Sequence, residues 1–269
     1  MLTALAETVE RCRAIVTYNG KSFDLPQLAA RYALARLLPG GPGLPHIDLL
    51  HITRRLYGRS LGTCRLADVE RRLLRLKRHE DVPSAAIPGA YSSYLTHANV
   101  RRLHPVFEHN TLDVVSLPAA LAHLSSVAGE FCETTAEAHL ALGRWDESRG
   151  RDASAITQYR LAWELDANGD EGGEAVMRLA RLYRHQGDWQ RCFELWHDES
   201  GQATSRLRLV RAFVELAKLH ESRLKDHDEA LALCTQALGI VQDSPPSIFV
   251  TTRPRLEKQI ERLRLRLAR

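Results

Sequence analysis

No apolar run in the sequence approaches the roughly 20 residues needed to cross a bilayer. Nor does the start read as a signal peptide: Met1 is followed by Leu-Thr-Ala-Leu-Ala-Glu, an amphipathic stretch without a positively charged lead. Cysteine is sparse. Cys12, Cys64, Cys132, Cys192 and Cys234 are widely scattered, odd in number and contain no C-x-x-C pair, which excludes a disulfide framework and the spacing of a structural zinc site. They read as small, buried apolar side chains in a reducing compartment. These absences set the expectation of a cytoplasmic protein with no membrane contact.

What is present is ordinary for soluble globular structure: 269 residues, 44% hydrophobic and 26% charged, enough for two domains. The charge is unevenly spread. Residues 1–132 hold 16 Lys+Arg against 11 Asp+Glu, a net of +5; residues 133–252 hold 14 against 20, a net of −6; residues 253–269 hold 7 against 2, a net of +5. A mildly basic first half suits a polyanionic substrate, and solvated surface charge explains it as well. The acidic second half argues against nucleic acid there and fits a protein-contacting or merely soluble helical array.

Residues 2–13 space Leu2, Leu5, Ala6, Val9 and Cys12 as a helix, leading into a strand over residues 14–18. Asn19-Gly20 marks a turn, and Asp24 with Pro26 marks the start of a helix that runs to Leu38, where Pro39-Gly40-Gly41-Pro42-Gly43 stops it. Asp24 has two readings. It is a carboxylate just beyond a strand end, where open α/β sheets place their chemistry, and it is also a good N-cap. A second short strand follows around Ile47 to Leu50, with helices over 52–57 and 66–76. The latter region carries Arg65, Arg71, Arg72, Arg75, Lys77 and Arg78, a solvated face or a track for phosphates. Pro83 to Pro88 reads as a loop. Pro88 to Leu95 starts another helix, with Tyr91 and Tyr94 either in the core or stacked on bases. His109 and Asp113 are four apart and share a helix face, with Asp113 in the first turn. Pro118 interrupts that helix, which can restart with Ser116 as its N-cap.

Asn19-x-x-x-Phe23-Asp24 resembles the second exonuclease motif of the DEDD nucleases, in the form found in family-B polymerase proofreading domains. His109-Asn110-Thr111-Leu112-Asp113 resembles the third motif, in which Tyr or His precedes the last metal-binding Asp. With His46-Ile47-Asp48-Leu49-Leu50 between them and Ile87-Pro88-x-x-Tyr91-x-x-Tyr94 beyond, the set is similar to one bacterial family, the YprB-type ribonuclease-H-like domain, often joined to tetratricopeptide helices. The resemblance covers roughly residues 1–125. It implies a metal-dependent 3'-5' exonuclease, with Asp24 and Asp113 as ligands of Mg²⁺ or Mn²⁺, their carboxylates converging, and His109 orienting or deprotonating the water. Asn19, Lys21 and Phe23 would contact the nucleic acid, DNA or RNA. The family's first motif, an Asp-x-Glu pair on an early strand, has no counterpart before Val16, since Glu7 and Glu10 sit on a helical pattern. Two of four carboxylates hold metal weakly, so the expectation is a catalytically incomplete chain.

From Glu133 the sequence turns continuously helical and repeats. Gly143, Ala180 and Ala217 stand 37 residues apart, as do Tyr159 and Trp196. The period resembles three divergent tetratricopeptide units closed by an Arg-rich capping helix from about Pro254 to Arg269, after the break at Ser244-Pro245-Pro246-Ser247. The expected fold is therefore α/β, a partial ribonuclease-H-like domain lacking its first strands over residues 1–130, followed by an all-α helical repeat array over residues 131–269. The alternative to a nuclease is a non-enzymatic scaffold whose repeats bind a protein partner.

Overall fold

Ile15, Val16 and Thr17 form strand β1 (Ile15–Thr17) of the computed structural model, which describes residues 1–37, 43–78, 82–129, 131–245 and 247–268. β1 runs parallel to β2 (His46–Asp48), with Ile15 opposite His46, Val16 opposite Ile47 and Thr17 opposite Asp48. Both strands stop for local reasons. Asn19 turns to a φ of 68°, and Asp48 serves at once as the N-cap of the next helix. A Cβ at Gly20 would lie 2.5 Å from the Thr17 side chain, so this turn requires glycine. The helix stop expected at Leu38 through Pro42 lies outside the described residues, as do Pro246 and Arg269.

The chain divides into two compact units, Met1–Glu133 and Thr134–Arg269. Around β1 and β2 the first unit places α1 (Leu2–Glu10), α2 (Asp24–Leu34), α3 (Leu49–Leu61), α4 (Leu66–Arg72), α5 (Ile87–His97) and α6 (His104–Ala128), with single 3₁₀ turns at Ser84–Ala86 and Val100–Arg102. Its core comes from α3, α4 and α6: Leu49, Leu56, Val69, Ala120, Leu124 and Val127 are buried. α3 leaves helical geometry at Tyr57, whose hydroxyl lies 3.3 Å from His123 Nε2 on α6.

The expected α/β class is overturned. Among the described residues the only strands are β1 and β2, three residues each and paired with one another, which does not make an α/β core. The β-favouring stretches are too short to extend the ladder, and the remaining apolar residues of this unit recur at helical spacing and fold as helix.

α6 also departs from expectation. It runs unbroken through Pro118, and Asp113 sits well inside it rather than in its first turn. Pro118 removes the N–H that would meet the Val114 carbonyl, but Val114 is exposed, so solvent can satisfy that group. Ser116 is no N-cap; its hydroxyl donates to Glu70 Oε1 at 2.5 Å and has the Asp113 carbonyl 3.3 Å away. By length and composition alone the stretch Val100–Ala128 is long and apolar enough to cross a membrane, which simple run length had not suggested. Val106, Ser116, Ala120, Leu124 and Val127 form its buried stripe, and α3 and α4 are among the elements it packs against.

The second unit is all helix among its described residues: α7 (Ala136–Glu147), α8 (Asp152–Leu165), α9 (Asp170–Gln186), α10 (Trp189–Gln202), α11 (Arg206–Leu219), α12 (His227–Gln242) and α13 (Thr252–Leu267), with a π-type turn at His220–Leu224. Thr135, Asp188 and Asp226 cap α7, α10 and α12 by accepting from Ala138, Arg191 and Glu229 backbone N–H groups at 3.0–3.2 Å. Consecutive helices pack against one another around one core that includes Tyr159, Trp196, Ala180, Ala217 and Ala237. A Cβ on Gly143 would lie 2.5 Å from the Tyr159 ring, so α7 and α8 approach as closely as a glycine allows. On α13, Leu256, Ile260 and Leu263 cover the end of this core, while Arg262 and Arg266 pair with Glu221 at 2.7 and 2.9 Å.

Candidate functional site

Beyond the end of β1 the loop 18–23 is held by one carboxylate that the motif reading passed over. Asp48 is 4% exposed, and its oxygens accept from the backbone N–H groups of Asn19 (2.8 Å), Lys21 (3.0 Å) and Leu50 (3.2 Å). Burial alone would raise its pKa. The N–H groups of Lys21, Asn19 and Leu50 outweigh burial, and the carboxyl is held below the usual range. Because Asp48 binds their main chain, the side chains of Asn19 and Lys21 are spared that task. Lys21 is exposed and Phe23 is 64% exposed, which puts a cation and a ring at the mouth of this turn.

Asp24 opens α2, after Phe23 at the N-cap position. It makes no capping bond, so the N-cap reading of this residue is set aside. It is exposed and has no side-chain hydrogen bond or ion pair among the described residues.

His109 and Asp113 do come together, and Arg78 comes with them. Helix α4 ends at Arg72, and Arg75 takes a φ of 56°, so the following segment leaves the helix line and Arg78 folds inward, its side chain only 9% exposed. Its Nη2 donates to Glu70 Oε1 at 2.7 Å, and its Nε donates to Glu70 Oε2. The same Nη2 donates to Asp113 Oδ1. Glu70 is 2% exposed and accepts a further bond from Ser116 Oγ at 2.5 Å. The Glu70 carboxylate, against the opposing effect of burial and with help from Asp113, pushes the Arg78 guanidinium up, so it stays charged at any accessible pH.

Arg78 Nη1 lies 3.1 Å from His109 Nδ1, and a guanidinium can only donate. His109 Nδ1 is therefore the acceptor in this pair. In the neutral ring the proton then sits on Nε2, which lies 3.5 Å from Asp113 Oδ2. The lone pair that a general base would use is already occupied.

This arrangement does not fit a divalent ion. Among the described residues no group of three or more His, Cys, Asp or Glu side chains is placed to hold one. The Asp113 carboxylate, with 37% of its side chain exposed, already faces the fixed positive charge of Arg78, which would repel a second cation. The sequence motifs found Asp24, His109 and Asp113 but missed Asp48, Glu70, Arg78 and Ser116. Asp48 carried a readable signal, a carboxylate between a short strand and a helix start. Arg78 carried none, because the Arg run reads as one solvated helix face until the chain is seen to turn at Arg75.

Residues 1–125 match the model of the family RNase_H_2, of the RNase_H superfamily. Across 265 residues, 95% of this chain, the sequence is 30% identical to the uncharacterized protein YprB of Bacillus subtilis strain 168. The chain spans 59% of that relative's length. No solved structure matches.

Proposed function

We propose that residues 1–125 act on nucleic acid in the manner of a nuclease-type domain, and that this chain alone binds a strand more readily than it cuts one. The match to the RNase_H superfamily carries the first half of this reading. Lys21 and Phe23, exposed at the end of β1, and Asp24 behind them are the groups we assign to the strand, with His109 and Asp113 as the remaining site residues. The second half rests on Arg78, which holds both Asp113 and the basic nitrogen of His109. Superfamily members generally use divalent metal, and the groups around Asp113 as they stand do not fit one. Binding one at Asp113 requires Arg78 to leave and further carboxylates to arrive. The helical hairpins of 134–269 are assigned to a protein partner, on the 37-residue period that resembles tetratricopeptide units.

The test is a pair of assays on the intact chain with labelled single-stranded DNA and RNA: anisotropy for binding, and gel analysis of strand length with Mg²⁺, Mn²⁺ or chelator. Binding with little metal-dependent shortening is the expected result. Robust degradation abolished by Asp24→Asn would refute the incompleteness, and absence of binding to either strand would refute the nucleic-acid assignment itself.

A further inference from the structure

Between α5 and α6 lies an apolar groove of about 390 Å³, lined by Ile87, Tyr91 and Tyr94 on one side and Leu103, Val106 and Phe107 on the other. Sequence reading left the two tyrosines either in the core or stacked on bases; Tyr91 is 56% and Tyr94 38% exposed, and Phe107 opposite is 58% exposed. The two rings tilt against each other at 6.5 Å, which leaves aromatic faces open to solvent. Neither phenol has a hydrogen-bond partner among the described residues. Three exposed rings around one groove form a large apolar surface that water does not favour.

The rim says what covers it. Leu103 of the groove wall follows directly on the 3₁₀ turn Val100–Arg102, which presents Arg101 and Arg102, both exposed and without an ion pair among the described residues. The nearest acid in sequence, Glu108, lies 3.4 Å from His104 and forms no ion pair with Arg101 or Arg102 among the described residues. Aromatic faces beside unneutralised guanidinium groups are what a single nucleic-acid strand needs, because its unstacked bases have π faces and its backbone has one negative charge per nucleotide. An apolar peptide would use the rings and leave the two cations without a role. A duplex would use the cations and keep its bases stacked away from the rings.

We infer that this groove takes the unstacked bases of a single nucleic-acid strand against Tyr91, Tyr94 and Phe107, with Arg101 and Arg102 meeting its phosphates. The inference rests on the nucleic-acid reading above and names where the strand lies. Stacking tolerates any base, so the groove contributes affinity rather than sequence choice.

The experiment measures anisotropy of labelled 12-nucleotide oligo-dT and oligo-U, and of a 12-base-pair duplex, on the intact chain at several salt concentrations. Replacing both tyrosines, Tyr91→Ala with Tyr94→Ala, should weaken single-strand binding roughly tenfold or more, while Tyr91→Phe with Tyr94→Phe should stay within about twofold. Arg101→Gln with Arg102→Gln should flatten the salt dependence by about one to two in log–log slope. Iodouracil placed in the strand should crosslink to the peptide holding Tyr91 and Tyr94 in the unaltered chain, a readout that needs no variant to fold. If the unaltered chain binds single strands but the Ala pair does not weaken them, or crosslinks fall only elsewhere, the groove is left to an apolar peptide and the nucleic-acid reading survives. Equal affinity for the duplex overturns the groove assignment in the same way. If no strand binds at all, both readings fall.

Discussion

A guanidinium with 9% of its side chain exposed stays in place only if acceptors meet it, and Arg78 has Glu70, Asp113 and His109. The partners are unequal. Glu70 is buried, whereas 37% of the Asp113 side chain is exposed. Arg78→Met should therefore destabilise the first unit by about 3–5 kcal/mol in urea unfolding, because it strands the Glu70 charge. Asp113→Asn should cost about 1 kcal/mol or less, since its half of the bridge is screened by water. A cost as large as that of Arg78→Met would make Asp113 a structural residue and remove it from the site. Asp48 supports a second residue-level expectation. Its folded pKa is held down by three backbone N–H groups, so its contribution is fully present above the ordinary carboxylate value near 4 and is lost as pH falls through the lower folded value. Unfolding profiles from pH 6 to pH 2 should show this loss in the native sequence, and Asp48→Asn should flatten it, lowering stability by about 1–3 kcal/mol at pH 6 and by progressively less as the pH falls.

Among the elements, periodicity was legible and connection was not. The apolar spacing of residues 2–13, the turn at Asn19-Gly20 and the helix after Asp24 all stood in the sequence because they are local. The shortness of β1 and β2 did not, since a strand's length is set by what pairs with it. Nor did the continuity of α6 through Pro118, where the carbonyl left without a donor belongs to the exposed Val114. The exposure of Tyr91 and Tyr94 was likewise hidden, because their spacing is what a buried stripe would also show. In the second unit the small residues at 37-residue intervals lie inside the structure: Ala180 and Ala217 are fully buried, and Gly143 faces the Tyr159 ring. Ala180→Leu should lower stability by about 1–3 kcal/mol, and Gly143→Ala should also destabilise, as seen in thermal melting of the intact chain. His185→Gln, on an exposed position of α9, should leave the melting temperature unchanged.

At the scale of the whole molecule the two units differ in how much apolar surface they bury. The second has one continuous core from Leu140 to Leu263, whereas in the first neither α1 nor α5 contributes a buried residue. Two units with separate cores can open separately, the first at the lower free energy. The five cysteines, expected to be buried throughout, turn out to be divided between surface and interior: Cys12 and Cys132 are exposed, while Cys64, Cys192 and Cys234 are buried. Burial raises the Cys192 thiol and pushes that of Cys234 up to about 11. The molecule thus carries its own clock. A maleimide added to the native chain should label Cys12 and Cys132 within the mixing time, Cys64 at the opening rate of Met1–Glu133, and Cys192 with Cys234 together at the slower opening rate of Thr134–Arg269. Mass spectrometry of quenched samples would read the three phases as stepwise additions. Labelling of Cys192 in step with Cys64 would mean that the two units open as one.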